Sequence, residues 1–135
     1  ELVSKIFTIL RESLIQMEKN PLIVRTIATQ GENLVFLNPS DSFHTAKEKI
    51  GDFDQLPVLE KERCVGSITT QQIIKLVSNQ VKDSELIQDI MGPPLPAFSD
   101  TTPIHQMREL MHYLDAAVIV NQEKVVGIIT RTDVF

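Results

Sequence analysis

Apolar residues along the chain fall into two kinds of pattern. At Phe43, Ala46 and Ile50, and again at Ile104, Met107 and Met111, they recur at the i, i+3, i+7 spacing of a helix face. Elsewhere they concentrate in short runs over 56–59, 64–68, 117–120 and 125–129, separated by polar turns at 60–63 and 121–124. Short runs rich in β-branched residues and bounded by turn signals suit strands covered on both faces. Asp41-Ser42 and Thr102-Pro103 supply start signals for the two helices. Extended segments at 34–37 and 95–98 lead into them. A further helix follows the first strand pair at about 70–79, with Ile73, Ile74 and Val77 on one side, and its counterpart begins at Thr132. At the N-terminus, Val3, Ile6, Phe7, Leu10, Leu14, Ile15 and Met17 predict one more helix, closed by Asn20-Pro21.

These elements come twice. With a constant offset of 61 residues and no gap, Asp54, Glu62, Val65, Gly66, Ile68 and Thr69 fall on the identical residues Asp115, Glu123, Val126, Gly127, Ile129 and Thr130. Val58 meets Ile119, Leu59 meets Val120 and Arg63 meets Lys124. The offset also superposes the two helical triplets. Upstream, Val24-Arg25-Thr26-Ile27-Ala28-Thr29 matches Ile87-Gln88-Asp89-Ile90-Met91-Gly92 at an offset of 63. A unit of about 55 residues buries too little surface to be secure alone, so the two copies are expected to pack on each other. The sequence therefore divides into an N-terminal helix or linker over 1–21, a first repeat over 22–80 and a second over 81–135 whose last helix is cut short. Duplication kept for stability alone is the bland alternative.

Composition narrows the class. In 135 residues, 42% are hydrophobic and 23% charged, with five glycines, the profile of an ordinary globular domain. No apolar run approaches the roughly 20 residues needed to span a bilayer, no signal peptide is evident, and a cytoplasmic protein without a membrane partner is expected. The net charge of −5 has the wrong sign for nucleic-acid binding by this segment.

The runs Leu56-Pro57-Val58-Leu59, turn, Val65-Gly66-Ser67-Ile68-Thr69 and Ala117-Val118-Ile119-Val120, turn, Val126-Gly127-Ile128-Ile129-Thr130-Arg131-Thr132-Asp133, together with Ile87-Gln88-Asp89-Ile90-Met91, resemble the cystathionine β-synthase (CBS) domain. The resemblance covers 22–135 and implies an α/β (α+β) fold of two βαββα repeats related by a pseudo-two-fold axis, with the N-terminal helix in front. It implies binding of an adenosine compound (AMP, ADP, ATP or S-adenosylmethionine) in a cleft between the repeats, and association into a homodimer of pairs. Asp133 would be the ribose-binding aspartate, with Thr130 and Thr132 lining ribose or phosphate. Thr29, Leu34, Val35, Phe53, Asp54 and Leu56 would hold the base. Arg131, and more weakly Arg25, are candidate phosphate contacts. Thr130 and Asp133 also suit an ordinary helix N-terminus. Where the second repeat has Asp133 the first has Gln72, which cannot supply a charge-assisted bond to the ribose. The second cleft, lined by Thr69, Gln72, Met91, Ala97, Leu114 and Asp115, is accordingly expected to be weak or empty.

Little else carries chemistry. His44 and His105 are equivalent positions, His112 lies seven residues beyond His105, and no cluster of metal-ligand spacing joins them. Cys64 falls in an apolar strand and reads as a buried, inert thiol. No nucleophile motif or phosphate loop is present, so neither a catalytic residue, a metal nor a catalytic cofactor is expected. Gly92-Pro93-Pro94-Leu95-Pro96 reads as a rigid lead-in to the second repeat. The segment 1–10 resembles the last helix of a lambda-repressor-like helix-turn-helix domain, which in archaeal regulators precedes a CBS pair. The chain reads as a piece of a larger protein: a non-catalytic sensor controlling an attached domain, with a DNA-binding transcriptional regulator as one candidate. The alternatives are a ligand-free structural dimerisation module and the regulatory portion of a metabolic enzyme or transporter.

Overall fold

The computed structural model describes Ser4-Lys5-Ile6, which are helical, Ile23, and residues 28–135; the rest of the expected N-terminal helix and Arg25 lie outside the described residues. In chain order the elements are β1 (Thr29–Gln30), α1 (Phe43–Ile50), β2 (Gln55–Glu60), β3 (Arg63–Thr69), α2 (Thr70–Ser78), α3 (Ile87–Ile90), β4 (Ala97–Ser99), α4 (Ile104–Leu110), β5 (Ala116–Asn121), β6 (Lys124–Thr130) and α5 (Arg131–Val134). The α/β fold and both hairpins match the apolar runs, each strand extending a residue or so beyond its run.

The hairpin strands form two sheets. One has the order β1-β6-β5-β4, with β4 parallel to β5 and the other pairings antiparallel; the other is the β2-β3 hairpin. Isolated bridges complete the second sheet on the pattern of the first. Leu37 bridges Val58 in parallel as Phe98 pairs with Ile119, and Ser67 bridges Gly92 antiparallel as Ile128 pairs with Thr29. The offsets of 61 and 63 read along the sequence thus reappear as strand register. The segment 34–37, expected to be extended, contributes only its bridge at Leu37. Pro57 explains the loss: Val118 donates its N–H to the Pro96 carbonyl at 2.9 Å, and Pro57, the equivalent of Val118, has no N–H to donate.

The pairings also cross the repeats. β1, from the start of the first repeat, lies on β6 of the second, and Gly92, from the start of the second, pairs with Ser67 of the first through Ser67 N→Gly92 O (3.2 Å) and Gly92 N→Ser67 O (2.8 Å). The cores follow suit. The first gathers Leu37, Phe43, Ala46, Ile50, Leu56, Val58, Ile68 and Ile73 together with Ile87, with Ile90 and Met91 packed against it. The second gathers Ile104, Met107, Met111, Ala117, Ile119, Ile129 and Val134, with Ala28 against it. Each core therefore closes with a segment supplied by the other repeat.

Caps and turns fit the sequence signals with one shift. Ser42 caps α1 by accepting from Thr45 N at 3.2 Å. α4 starts one residue later than Pro103 would dictate: Pro103 is its N-cap, and Thr102 Oγ1 donates to the Ser99 carbonyl at 2.7 Å. The hairpin tips meet across the pseudo-axis, Arg63 with Glu123 and Lys124 with Glu62, both at 3.2 Å, beside Val125 N→Glu62 O at 2.7 Å. Exposed pairs of this kind contribute about 0–1 kcal/mol each, so they orient the tips more than they hold them. The loop after α2 is tied to α1 by Lys47 Nζ–Asp83 Oδ1 at 2.6 Å; this hydrogen bond holds the Asp83 carboxyl below its usual range. Among the described residues no helix is long and apolar enough to cross a membrane.

Gly127 is where the crossing is tightest. A Cβ there would sit 2.7 Å from the Thr29 carbonyl oxygen and 3.3 Å from Gln30 Cβ. The equivalent Gly66 is covered mainly by the flexible Met91 side chain. Gly127→Ala is therefore expected to destabilise the fold by about 1–3 kcal/mol, more than Gly66→Ala does. Urea unfolding of the two variants measures the difference.

Candidate functional site

The end of β6 and the first turn of α5 form one wall of a cleft. Thr130, with extended backbone (φ −123, ψ 171), stops the strand and caps the helix. Asp133 folds back on it: Oδ2 accepts from Thr130 N at 2.8 Å and from Thr130 Oγ1 at 3.1 Å, while Thr130 Oγ1 lies 2.9 Å from Thr132 Oγ1. Asp133 thus fills the bland capping role foreseen for it. Its other oxygen, Oδ1, has no hydrogen-bond partner among the described residues. The opposite wall comes from the approach to β2. Phe53 is 46% exposed, which leaves an aromatic face open at the rim, and Leu56 is buried beneath it.

Between these walls lies a cavity of about 230 Å³ lined by Thr29, Asn33, Val35, Asp52, Phe53, Asp54, Gln55, Leu56, Ile128, Thr130, Thr132 and Asp133. Eight of the ten residues expected for the principal cleft are there; Leu34 and Arg131 are not. Asn33, Asp52, Gln55 and Ile128 were missed. Ile128 could have been found, since residues alternate along β6 and Ile128 shares a face with Thr130. The others flank expected residues by one position.

Arg131 opens instead onto an adjoining groove of about 380 Å³ with Asp54, Gln55, Thr69, Thr70, Gln71, Asp115, Thr130 and Thr132. Its guanidinium is already engaged. Nε donates to the carbonyls of Met111 (2.9 Å) and Leu114 (3.0 Å), Nη2 reaches that of His112 (3.5 Å), and Nη1 is 3.5 Å from Asp115 Oδ1. It ties the loop after α4 to the start of α5.

The equivalent region of the first repeat is arranged differently. Gln72 completes a capping box with Thr69: Thr69 N donates to Gln72 Oε1 (2.8 Å) and Gln72 N to Thr69 Oγ1 (3.1 Å). The Gln72 amide nitrogen sits where a Cβ on Gly92 would need to be, 2.8 Å away. Met91 packs over Gly66 and against the first core. Thr69 and Asp115 open onto the groove shared with Arg131, whereas Ala97 lines a separate groove with Arg63, Cys64, Pro94 and Leu95. Neither of these grooves gathers all six residues expected for a second cleft. Cys64 is half-buried, not buried as expected, because its strand faces that open groove; Sγ donates to the Gly66 carbonyl at 3.2 Å. His105 and His112 are exposed, and His44 lies 2.9 Å from Glu48 on the surface. Among the described residues no three potential ligands cluster as a metal site would require.

A doubled hairpin-and-helix unit with a cleft at the junction defines a tandem-repeat α/β module. The CBS domain family matches residues 15–79 and 87–135, and the chain belongs to that family. No curated protein sequence matches it significantly. Solved structures of similar fold include CBSX2 from Arabidopsis thaliana in complex with AMP, at 22% identity over 83% of this chain and 92% of that one, with a TM-score of 0.71. The CBS domains of a transcriptional regulator from Streptococcus pneumoniae superpose with a TM-score of 0.71 at 19% identity, over 84% of this chain and 96% of that one. A CBS domain-containing protein from Bacillus anthracis gives 0.74 at 15% identity, over 84% and 89%.

Arg131→Ala is expected to leave the Met111 and Leu114 carbonyls without their charged donor. The cost is about 1 kcal/mol, at the low end for such bonds because the side chain is half exposed. Hydrogen exchange checks it: amides of 111–115 should exchange faster while those of β2 and β3 keep their rates.

Proposed function

We propose that the chain is a non-catalytic regulatory module that binds an adenosine-containing ligand in the cleft between its two CBS repeats and passes its occupancy to an attached domain. The observation that carries this reading is the composition of the cleft at Thr130–Asp133. It pairs an apolar slot of Val35, Phe53, Leu56 and Ile128 with a carboxylate of which one oxygen has no hydrogen-bond partner among the described residues. An adenine base needs the first. Ribose hydroxyls donate to the second, in a charge-assisted bond. The AMP bound by the Arabidopsis protein of similar fold supports the ligand class.

The cleft also supports a route for the signal. One wall, Phe53 and Asp54, is bonded to the start of α2 through Thr70 Oγ1→Phe53 O (2.9 Å) and Thr70 N→Asp54 O (2.9 Å). The other wall belongs to the second repeat. A ligand touching both walls favours the arrangement in which they fit it, by no more than its difference in affinity for the two arrangements. The attached domain, a DNA-binding regulator by the resemblance of 1–10, would read that change.

A dimerisation role is compatible with this and is the second reading. Ile74 and Val77 on α2 are 62% and 53% exposed, and Phe135, equivalent to Ile74 at the offset of 61, is 64% exposed. Ile74 and Val77 present an apolar patch suited to a second copy of the pair, and Phe135 exposes apolar surface at the equivalent place in the second repeat. A module serving dimerisation alone would give no heat with any adenosine compound.

Asp133→Asn separates the capping role of this residue from ligand binding, because an asparagine oxygen can still accept from Thr130 N. Isothermal titration with AMP is expected to show one site per chain for the parent. The variant should be weakened about tenfold or more, as loss of a charge-assisted hydrogen bond worth about 1.5–3 kcal/mol implies, with little change in unfolding temperature. Equal affinity of parent and variant would refute the ribose-binding role.

A further inference from the structure

The space available in the cleft fixes where a ligand's tail must go. The cavity of about 230 Å³ is smaller than the roughly 300 Å³ at which pockets for drug-sized ligands begin, so base and ribose fill it. Its continuation is the groove of about 380 Å³, which shares Asp54, Gln55, Thr130 and Thr132 with it. A 5′ substituent on a ribose held beside Asp133 would run along that groove.

Among the described residues the charges on this route are one-sided. Asp52, Asp54 and Asp133 line the cavity, and Asp54 and Asp115 the groove; against these four carboxylates the described lining holds one cation, Arg131. That cation is already shared among three carbonyls and the Asp115 carboxylate. Two of the three backbone donors in the first turn of α2 are spent as well: Thr70 N on the Asp54 carbonyl and Gln72 N on Thr69 Oγ1.

We propose that the cleft is selective for adenosine compounds whose 5′ tail is neutral or cationic, and that each added phosphate weakens binding. The proposal rests on the adenosine-binding reading above and sharpens it to a ligand class. The carboxylates act on the tail through space, so their effect grows with its negative charge. It changes sign for a sulfonium or ammonium tail. At the separations of a groove of this size, in a solvent-exposed setting, a unit charge is worth a few-fold in affinity, and the polyphosphate sums several such terms.

The test is a charge series titrated into the full 135-residue chain: adenosine, AMP, ADP and ATP, with S-adenosylmethionine as the cationic member, in metal-free and in magnesium buffer. Expected are dissociation constants rising through the series, with ATP about tenfold weaker than adenosine or more, and S-adenosylmethionine at least as tight as adenosine. Raising the salt should narrow the ATP-to-adenosine ratio. Asp115→Asn should narrow it too, since it removes a carboxylate and releases Arg131. A flat series, or one that tightens toward ATP in either buffer, overturns the charge selectivity and leaves the adenosine reading standing. Failure of every member to bind overturns both.

Discussion

The structure depends on an exchange of backbone pairing between the two repeats. Thr29-Gln30 completes the sheet of the second repeat and Gly92 that of the first, so neither hairpin is fully paired without a segment from the other. Ala28, Ile87, Ile90 and Met91 carry the same exchange into the two cores. A two-stranded hairpin is marginal by itself, and this reciprocity lets two small units stand as one body. It also places the cleft. Thr29 reaches Thr130 only because β1 crosses to β6, and the close approach that this requires is what Gly127 permits.

Pseudo-symmetry built the framework, and departures from it make the two equivalent regions chemically different. The frame is closely two-fold: matched bridges, matched capping boxes at Thr69 and Thr130, and matched ion pairs at the hairpin tips. The side chains that decide chemistry are not. Asp133 offers a carboxylate where Gln72 offers an amide packed under Gly92, and Thr29, of the first repeat, stands where the second has that glycine. Phe53 leaves an aromatic face at the rim. Since one frame serves both halves, the cleft at Thr130–Asp133 is walled by elements of both repeats.

Much of this was legible along the chain because the signals were periodic or repeated. The helix triplets, the buried strand runs and the offset of 61 survive as elements and as register. Eight of the ten residues expected for the cleft line one cavity. What was not legible depends on who pairs with whom. Nothing in Ile87-Gln88-Asp89-Ile90 announces that it completes the first core, because a segment's partner is set by three-dimensional closure and not by its own pattern. Arg131 looked like a free phosphate contact; only its contacts with the carbonyls of 111–114 show it employed in holding a loop. Pro57 was visible from the start, yet its consequence needed the partner strand: the missing N–H reduces 34–37 to a single bridge.

The central claim is that one cleft binds and the other does not. Amide chemical shifts of the isotopically labelled chain, followed while adenosine is added to saturation, test it most directly. The account predicts shifts at Thr29, Phe53, Asp54, Thr130 and Thr132, and little change at Gln72, Met91, Gly92 and Leu114. Equal shifts at both sets, or shifts confined to the second, would contradict it.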